Sequence, residues 1–164
     1  MKHLFIFLFF LTSLNVFGQT KVEKKAAEQK AYENLKTQLN NTDFQFIADW
    51  ANTQKGRRIN LIGNPNFLNY GDTKIEADLP YFGVAQMTGY NSTGGIKFIQ
   101  ENPVIKKELN DKKQNIILKF EAQNGNESFN CTLTLFKNNT ATLSVFSSNR
   151  NSISYDGRIT FKEQ

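Results

Sequence analysis

Residues 116–145 read IILKFEAQNGNESFNCTLTLFKNNTATLSV, and the parity of their apolar side chains decides the fold. Ile116, Leu118, Phe120 and Ala122 fall on even numbers, whereas Phe129, Cys131, Leu133 and Leu135 fall on odd ones. Alternation with a period of two marks strands that bury one face. Antiparallel strands sharing that face pair residues whose numbers have a constant sum, and here the sum must be odd. A two-residue turn at Asn124-Gly125 satisfies this, pairing Phe120 with Phe129, Leu118 with Cys131 and Ile116 with Leu133. Asn-Gly is also the pair a type I′ hairpin prefers, because both central residues take positive φ. A slip of one residue would set apolar side chains against polar ones on both faces.

Ala141, Leu143 and Val145 are odd again, so the next pairing needs an even sum and a two-residue turn at Asn138-Asn139 fails. A three-residue loop, Lys137 to Asn139, pairs Leu135 with Ala141, Leu133 with Leu143 and Cys131 with Val145. That loop requires a left-handed third residue, which Asn139 supplies. A last strand, Ile153 to Phe161, joins through Ser148 to Ser152. The opposite face carries Thr132, Thr134, Thr142, Ser144, Lys119 and Glu121 and reads as solvated. A one-sided meander must cover its apolar face with more sheet or with a helix.

Both kinds of cover lie upstream. Residues 20–41 are helical in character, with Thr20 and Glu23 as a capping box and Tyr32, Leu35 and Leu39 on one face. The second half docks, the first half frays, and Asn40-Asn41 ends the helix. From residue 44 the period becomes two: Phe44, Phe46, Ala48 and Trp50, then Ile59 and Leu61, then Thr73, Ile75, Ala77 and Leu79. Turns at Gln54-Lys55-Gly56, Gly63-Asn64-Pro65-Asn66 and Tyr70-Gly71 separate these runs. Residues 80–95, with Pro80, Gly83, Gly89, Gly94 and Gly95, form the longest loop-like stretch.

The first eighteen residues read as a secretory signal: Lys2 and His3, an apolar run from Leu4 to Leu11, then Val16 and Gly18 before cleavage at Gln19. Such a run is too short for a membrane anchor, which needs about 20 apolar residues. A lipoprotein signal places a cysteine just after the cleavage point, and Gln19 stands there instead, so none is expected. The division is therefore signal peptide 1–18, helix 19–41 and antiparallel β domain 42–164, and the expected location is periplasmic or secreted. The mature chain of 146 residues, from 164 less these 18, is one ordinary domain.

Losing the signal also removes the single histidine, His3, and leaves one cysteine, Cys131. A chain without histidine cannot run Ser-His-Asp or Cys-His chemistry, nor build the usual zinc sites. No disulfide can form within it. No glycine-rich phosphate loop or EF-hand appears, and the expectation is no cofactor and no metal. The net charge of +5 becomes +4 without Lys2 and reads as a solvated lysine-rich surface, not a nucleic-acid footprint. Cys131, inward in the hairpin register, reads as core. Asp78 and Asp156, with Arg57 and Arg58, lie near strand ends but have no spacing that marks a catalytic pair. Asn91-Ser92-Thr93 and Asn126-Glu127-Ser128 match a glycosylation acceptor by chance in an Asn-rich chain.

The segment Leu79-Pro80-Tyr81-Phe82-Gly83 is the candidate recognition loop, with Asn149 and Arg150 as weaker candidates. Aromatics on a loop suit recognition of a peptide, glycan or apolar ligand; the same residues can instead plug the end of a barrel or sandwich, and the plug is the favoured reading.

Asp78-Leu79-Pro80-Tyr81-Phe82-Gly83-x-Ala85, Gly94-Gly95-Ile96-x-Phe98, Ala141-Thr142-Leu143-x-Val145 and Ser148-Asn149-Arg150-x-Ser152-Ile153-Ser154-Tyr155-x-Gly157 follow one another in order. Together they resemble family 4251 of the domains of unknown function, found in exported proteins of Bacteroidetes. The likeness runs from about residue 24 to residue 161. It implies a mostly antiparallel β domain behind an N-terminal helix, an envelope location and no particular activity. Members are often lipoproteins, so the missing signal cysteine is a departure that argues against anchoring.

The reading is a mostly β chain: an antiparallel up-and-down meander of about eight strands closed as a lipocalin-like barrel, or alternatively a two-layer sandwich, with one N-terminal α-helix. The expected function is a non-enzymatic binding module of the envelope, engaging a protein, a glycan or a small apolar ligand, with no nucleic acid and no stable membrane insertion. The alternative is a carrier of a small apolar ligand inside the barrel. A carboxylate- and tyrosine-based enzyme ranks third.

Overall fold

The computed structural model describes residues 21–63, 66–83 and 94–162. The signal segment, Thr20, Ala85 and the Asn91 acceptor lie outside these residues. Within them the order is α1 (Lys21–Asn41), β1 (Phe44–Thr53), β2 (Arg58–Asn60), β3 (Phe67–Tyr70), β4 (Lys74–Leu79), β5 (Ile96–Glu101), β6 (Lys106–Asn110), β7 (Asn115–Asn124), β8 (Glu127–Phe136), β9 (Thr140–Ser147) and β10 (Ile153–Phe161). All pairings are antiparallel, in one sheet of order β5-β4-β3-β1-β10-β9-β8-β7-β6, with β2 added to β1. The chain is mostly β with a single N-terminal helix, and the sheet curls into a half-barrel.

Two meanders, β3 to β5 and β6 to β10, are joined through β1, which pairs with β10 along its length and with β3 and β2 on its other side. Curling brings the first meander back onto the second: Phe98 of β5 meets Phe120 of β7 and Phe129 of β8, at 6.4 and 5.5 Å between ring centroids. No pairing joins β5 to β6 among the described residues. The short strands β3 and β6 raise the count above eight. No alternating apolar run is read over either in the sequence.

The β8–β9 hairpin has the expected register, Leu135 opposite Ala141, Leu133 opposite Leu143 and Cys131 opposite Val145. Asn139 takes φ +60°, and its N–H donates to the Phe136 carbonyl at 3.0 Å. The β7–β8 hairpin differs by one step in its turn. Asn124 pairs with Glu127, Ala122 with Phe129, Phe120 with Cys131 and Leu118 with Leu133, so the central residues are Gly125-Asn126. Gly125 is at φ +59° and Asn126 is outside the left-handed region, the pattern of a type II′ turn, not type I′. The expected pairing of Phe120 with Phe129 is therefore corrected to Phe120 with Cys131. Both turns pair even with odd numbers, so the apolar pattern alone does not separate them.

A second correction falls on β1. Register shifts between Ala48 and Trp50, leaving Asp49 as the extra residue of a bulge. Inward positions run Phe44, Phe46, Ala48 and then Ala51, so Trp50 leaves the core and its ring faces the Arg58 guanidinium at 4.7 Å. Gly157, opposite Ala48, permits this close approach: a Cβ there would collide with the Ile47 carbonyl oxygen and lie 2.9 Å from Ala48 Cα.

The concave face is packed with Phe44, Phe46, Leu68, Ile75, Leu118, Leu133, Leu143 and Tyr155, all buried. Tyr32, Leu35 and Leu39 of α1 join this core. The helix lies at the end of the sheet that carries the β6–β7 and β8–β9 turns. Tyr32 Oη donates to Asp111 Oδ1 at 3.0 Å, and Lys137 pairs with Glu28 at 2.9 Å. The opposite end belongs to the 79–83 segment.

Candidate functional site

Leu79 ends β4 as a fully buried side chain opposite Ile96, so the chain enters the 79–83 segment from the core. Tyr155, inward on β10, donates its hydroxyl to the Pro80 carbonyl at 2.7 Å. Tyr81 is half-buried, and its hydroxyl donates to the Asn151 carbonyl at 3.0 Å. Burial pushes the Tyr81 phenol above its ordinary pKa, against the opposing pull of the Arg150 charge. The Arg150 guanidinium sits 5.3 Å from the centre of the Tyr81 ring.

Arg150 ties this end of the sheet together. Its Nε and Nη2 each donate to Glu127 carboxylate oxygens at 2.7 Å, and Nη1 donates to the Gly95 carbonyl at 3.0 Å. The Ser147 hydroxyl also donates to Glu127. The two charged side chains are only 8 % and 12 % exposed. A bidentate, desolvated pair of this kind fixes orientation as well as charge. Four stretches distant in sequence, 79–83, 95, 127 and 147–151, are thereby held in one mouth of the half-barrel. Asn149 completes the corner: its N–H donates to Ser147 Oγ, and its Oδ1 accepts from Ser148 Oγ at 2.8 Å.

The five loop residues therefore divide. Leu79, Pro80 and Tyr81 stopper the mouth. Phe82 is 40 % exposed. Together with Gly83 and Asn151 it lines a pocket of about 140 Å³ whose other wall is the β1–β2 turn, with Gln54, Lys55 and Arg57. Gly83 leaves space for the Tyr81 ring, since a Cβ there would meet the Tyr81 hydroxyl. Glu127 was not singled out by sequence reasoning. It lies 23 positions from Arg150 in the chain, and only the hairpin register brings the two together.

The other polar residues stay apart. Asp78 of β4 accepts from Lys97 at 2.9 Å, while Asp156 of β10 accepts from Asn52 and Thr142, both at 2.9 Å. β3 and β1 stand between those two strands. Cys131 is buried, with its thiol pushed up to about 12 by burial, which is the state of an inert core cysteine. Among the described residues no group of three His, Cys, Asp or Glu side chains is placed to hold a metal ion. No described helix is long and apolar enough to cross a membrane.

A larger concavity went unforeseen. β6 pairs with β7 only over residues 115–119, so residues 120–124 have no strand partner on that side among the described residues. The resulting cleft of about 740 Å³ opens on the side of the half-barrel between Gln100 and Asn102 on one wall and Glu121, Gln123 and Asn130 on the other. No run of residues signals it, because it arises from a missing stretch of strand pairing.

The crystal structure of a DUF4251 family protein from Bacteroides eggerthii DSM 20697 is similar to this chain, with a TM-score of 0.59 and 24 % identity. The match covers 83 % of this chain and 91 % of that one, and establishes likeness of fold. No curated protein matches. The model of the domain of unknown function DUF4251 matches residues 26–159, which include the mouth and both hairpins, and the chain belongs to that family.

Proposed function

We propose that this protein is an exported, non-enzymatic binding module of the cell envelope, periplasmic or secreted, that engages a protein partner through Phe82 and the adjoining β1–β2 turn. The observation that carries this reading is the division of the 79–83 segment. A stopper held by Tyr155, Arg150 and Glu127 presents one exposed aromatic ring beside a basic turn. A ring mounted on a rigid base loses little conformational freedom on docking, which is what a contact anchor requires. The apolar run at 4–11 and the small residues at 16 and 18 support export. The carrier reading draws no support from the concave face, whose inward side chains are packed on one another and on α1.

The test compares Phe82→Ala with wild type in capture of envelope proteins by the immobilised chain. A partner held by wild type and lost with Phe82→Ala, at unchanged melting temperature, supports the assignment. Equal capture by both proteins refutes it.

A further inference from the structure

We propose that the side cleft between the β5–β6 connection and the β7–β8 hairpin is a second binding site, and that it takes a neutral oligosaccharide. Its volume of about 740 Å³ lies within the range of small-ligand sites. Its walls are rich in groups that both donate and accept: the amides of Gln100, Asn102, Gln123 and Asn130 and the hydroxyl of Thr132. A ligand carrying many hydroxyls needs that duality, because each hydroxyl is itself donor and acceptor. The side-chain amides of Asn102, Gln123 and Asn130 are exposed and make no hydrogen bond to another described residue. Val104, 89 % exposed at the lip, offers apolar surface for the C–H face of a sugar.

Local charge argues against an anion. Lys119 donates to both Glu108 carboxylate oxygens at 2.9 and 3.0 Å, and Lys106 lies 3.8 Å from the same group. The Lys119 hydrogen bond holds Glu108 below the ordinary carboxylate range. Both cations are thus committed, while Glu121 adds a negative charge to the wall. An extended peptide fits less well. Asn124 Nδ2 donates to the Lys97 carbonyl at 2.8 Å, and Phe98 lies against Phe120 and Phe129, so the cleft closes at one end before a strand could run through. Lysines at the β6 edge further oppose strand addition.

The experiment presents the purified protein with three immobilised sets: neutral oligosaccharides, oligosaccharides bearing carboxylates or sulfates, and extended peptides. Retention on the neutral set is expected. Asn130→Leu and Gln123→Leu should each weaken it about tenfold, the loss of one good hydrogen bond. Asn130→Asp, which keeps the shape and adds charge beside Glu121, should weaken it as well. Phe82→Ala should leave it unchanged, which separates this site from the mouth. Retention only on the acidic or peptide sets, no retention at all, or indifference to both leucine variants and to Asn130→Asp would overturn the assignment.

Discussion

Replacing Glu127 by Ala tests whether the mouth of the half-barrel is held by charge. The carboxylate accepts from Arg150 Nε and Nη2 at 2.7 Å, with the pair 12 % and 8 % exposed. Removing one member of a desolvated pair leaves the other charge buried, at a cost of about 3–5 kcal/mol. Arg150 would keep its bond to the Gly95 carbonyl and its place against Tyr81, so the lower end of that range applies, about 3 kcal/mol. In a domain of this size that corresponds to a fall in Tm of roughly 10 °C. Urea unfolding followed by fluorescence gives the free energy. The double variant Glu127→Leu with Arg150→Met, which removes both charges and keeps volume, should recover to within about 1 kcal/mol of wild type. A loss below about 1 kcal/mol for Glu127→Ala would mean the pair behaves as a solvated surface bridge, and the rigid stopper would have to be abandoned.

Two further outcomes follow from packing and burial. Gly157→Ala forces a Cβ into the β1 backbone at the Asp49 bulge and should cost about 1–3 kcal/mol by chemical denaturation. Gly94→Ala, where a Cβ meets open space, should change stability by less than about 0.5 kcal/mol, and equal effects would contradict the bulge. Burial pushes the Cys131 thiol, and likewise the Tyr70 phenol, up to about 12, so the folded state holds protons that the unfolded chain releases at lower pH. Their contribution to stability is whole below about pH 9 and is lost as pH rises toward about 12. Folded protein should resist a thiol reagent at about pH 8 and react once unfolded; rapid labelling of the folded chain would count against a buried Cys131.

The sequence is most legible where two independent signals coincide. In the β8–β9 hairpin, parity demands an odd loop and Asn139 tolerates the left-handed residue such a loop needs, so length and register are both determined. In the β7–β8 hairpin parity excludes a one-residue slip but permits a two-residue one. Asn-Gly and Gly-Asn both make good turns, and the structure uses the second. Trp50 is misplaced by alternation because a bulge adds a residue without any local marker, its enabling glycine lying on another strand at position 157. The same reasoning explains the site. An aromatic loop at 79–83 stands out in the sequence, but its split into a half-buried Tyr81 and an exposed Phe82 depends on Arg150, Tyr155 and Asn151 arriving from the far end of the chain. The side cleft is invisible in the sequence because strand alternation does not say where pairing stops.

The central claim is that one sheet curls until β5 meets the β7–β8 hairpin without pairing to it, which creates the stoppered mouth and the side cleft together. Nuclear Overhauser contacts in the isotope-labelled protein test it directly. The account requires ring-to-ring contacts from Phe98 to both Phe120 and Phe129, with no ladder of Hα–Hα contacts between residues 96–101 and 120–124. A continuous ladder there, or the absence of the Phe98 contacts, would contradict it.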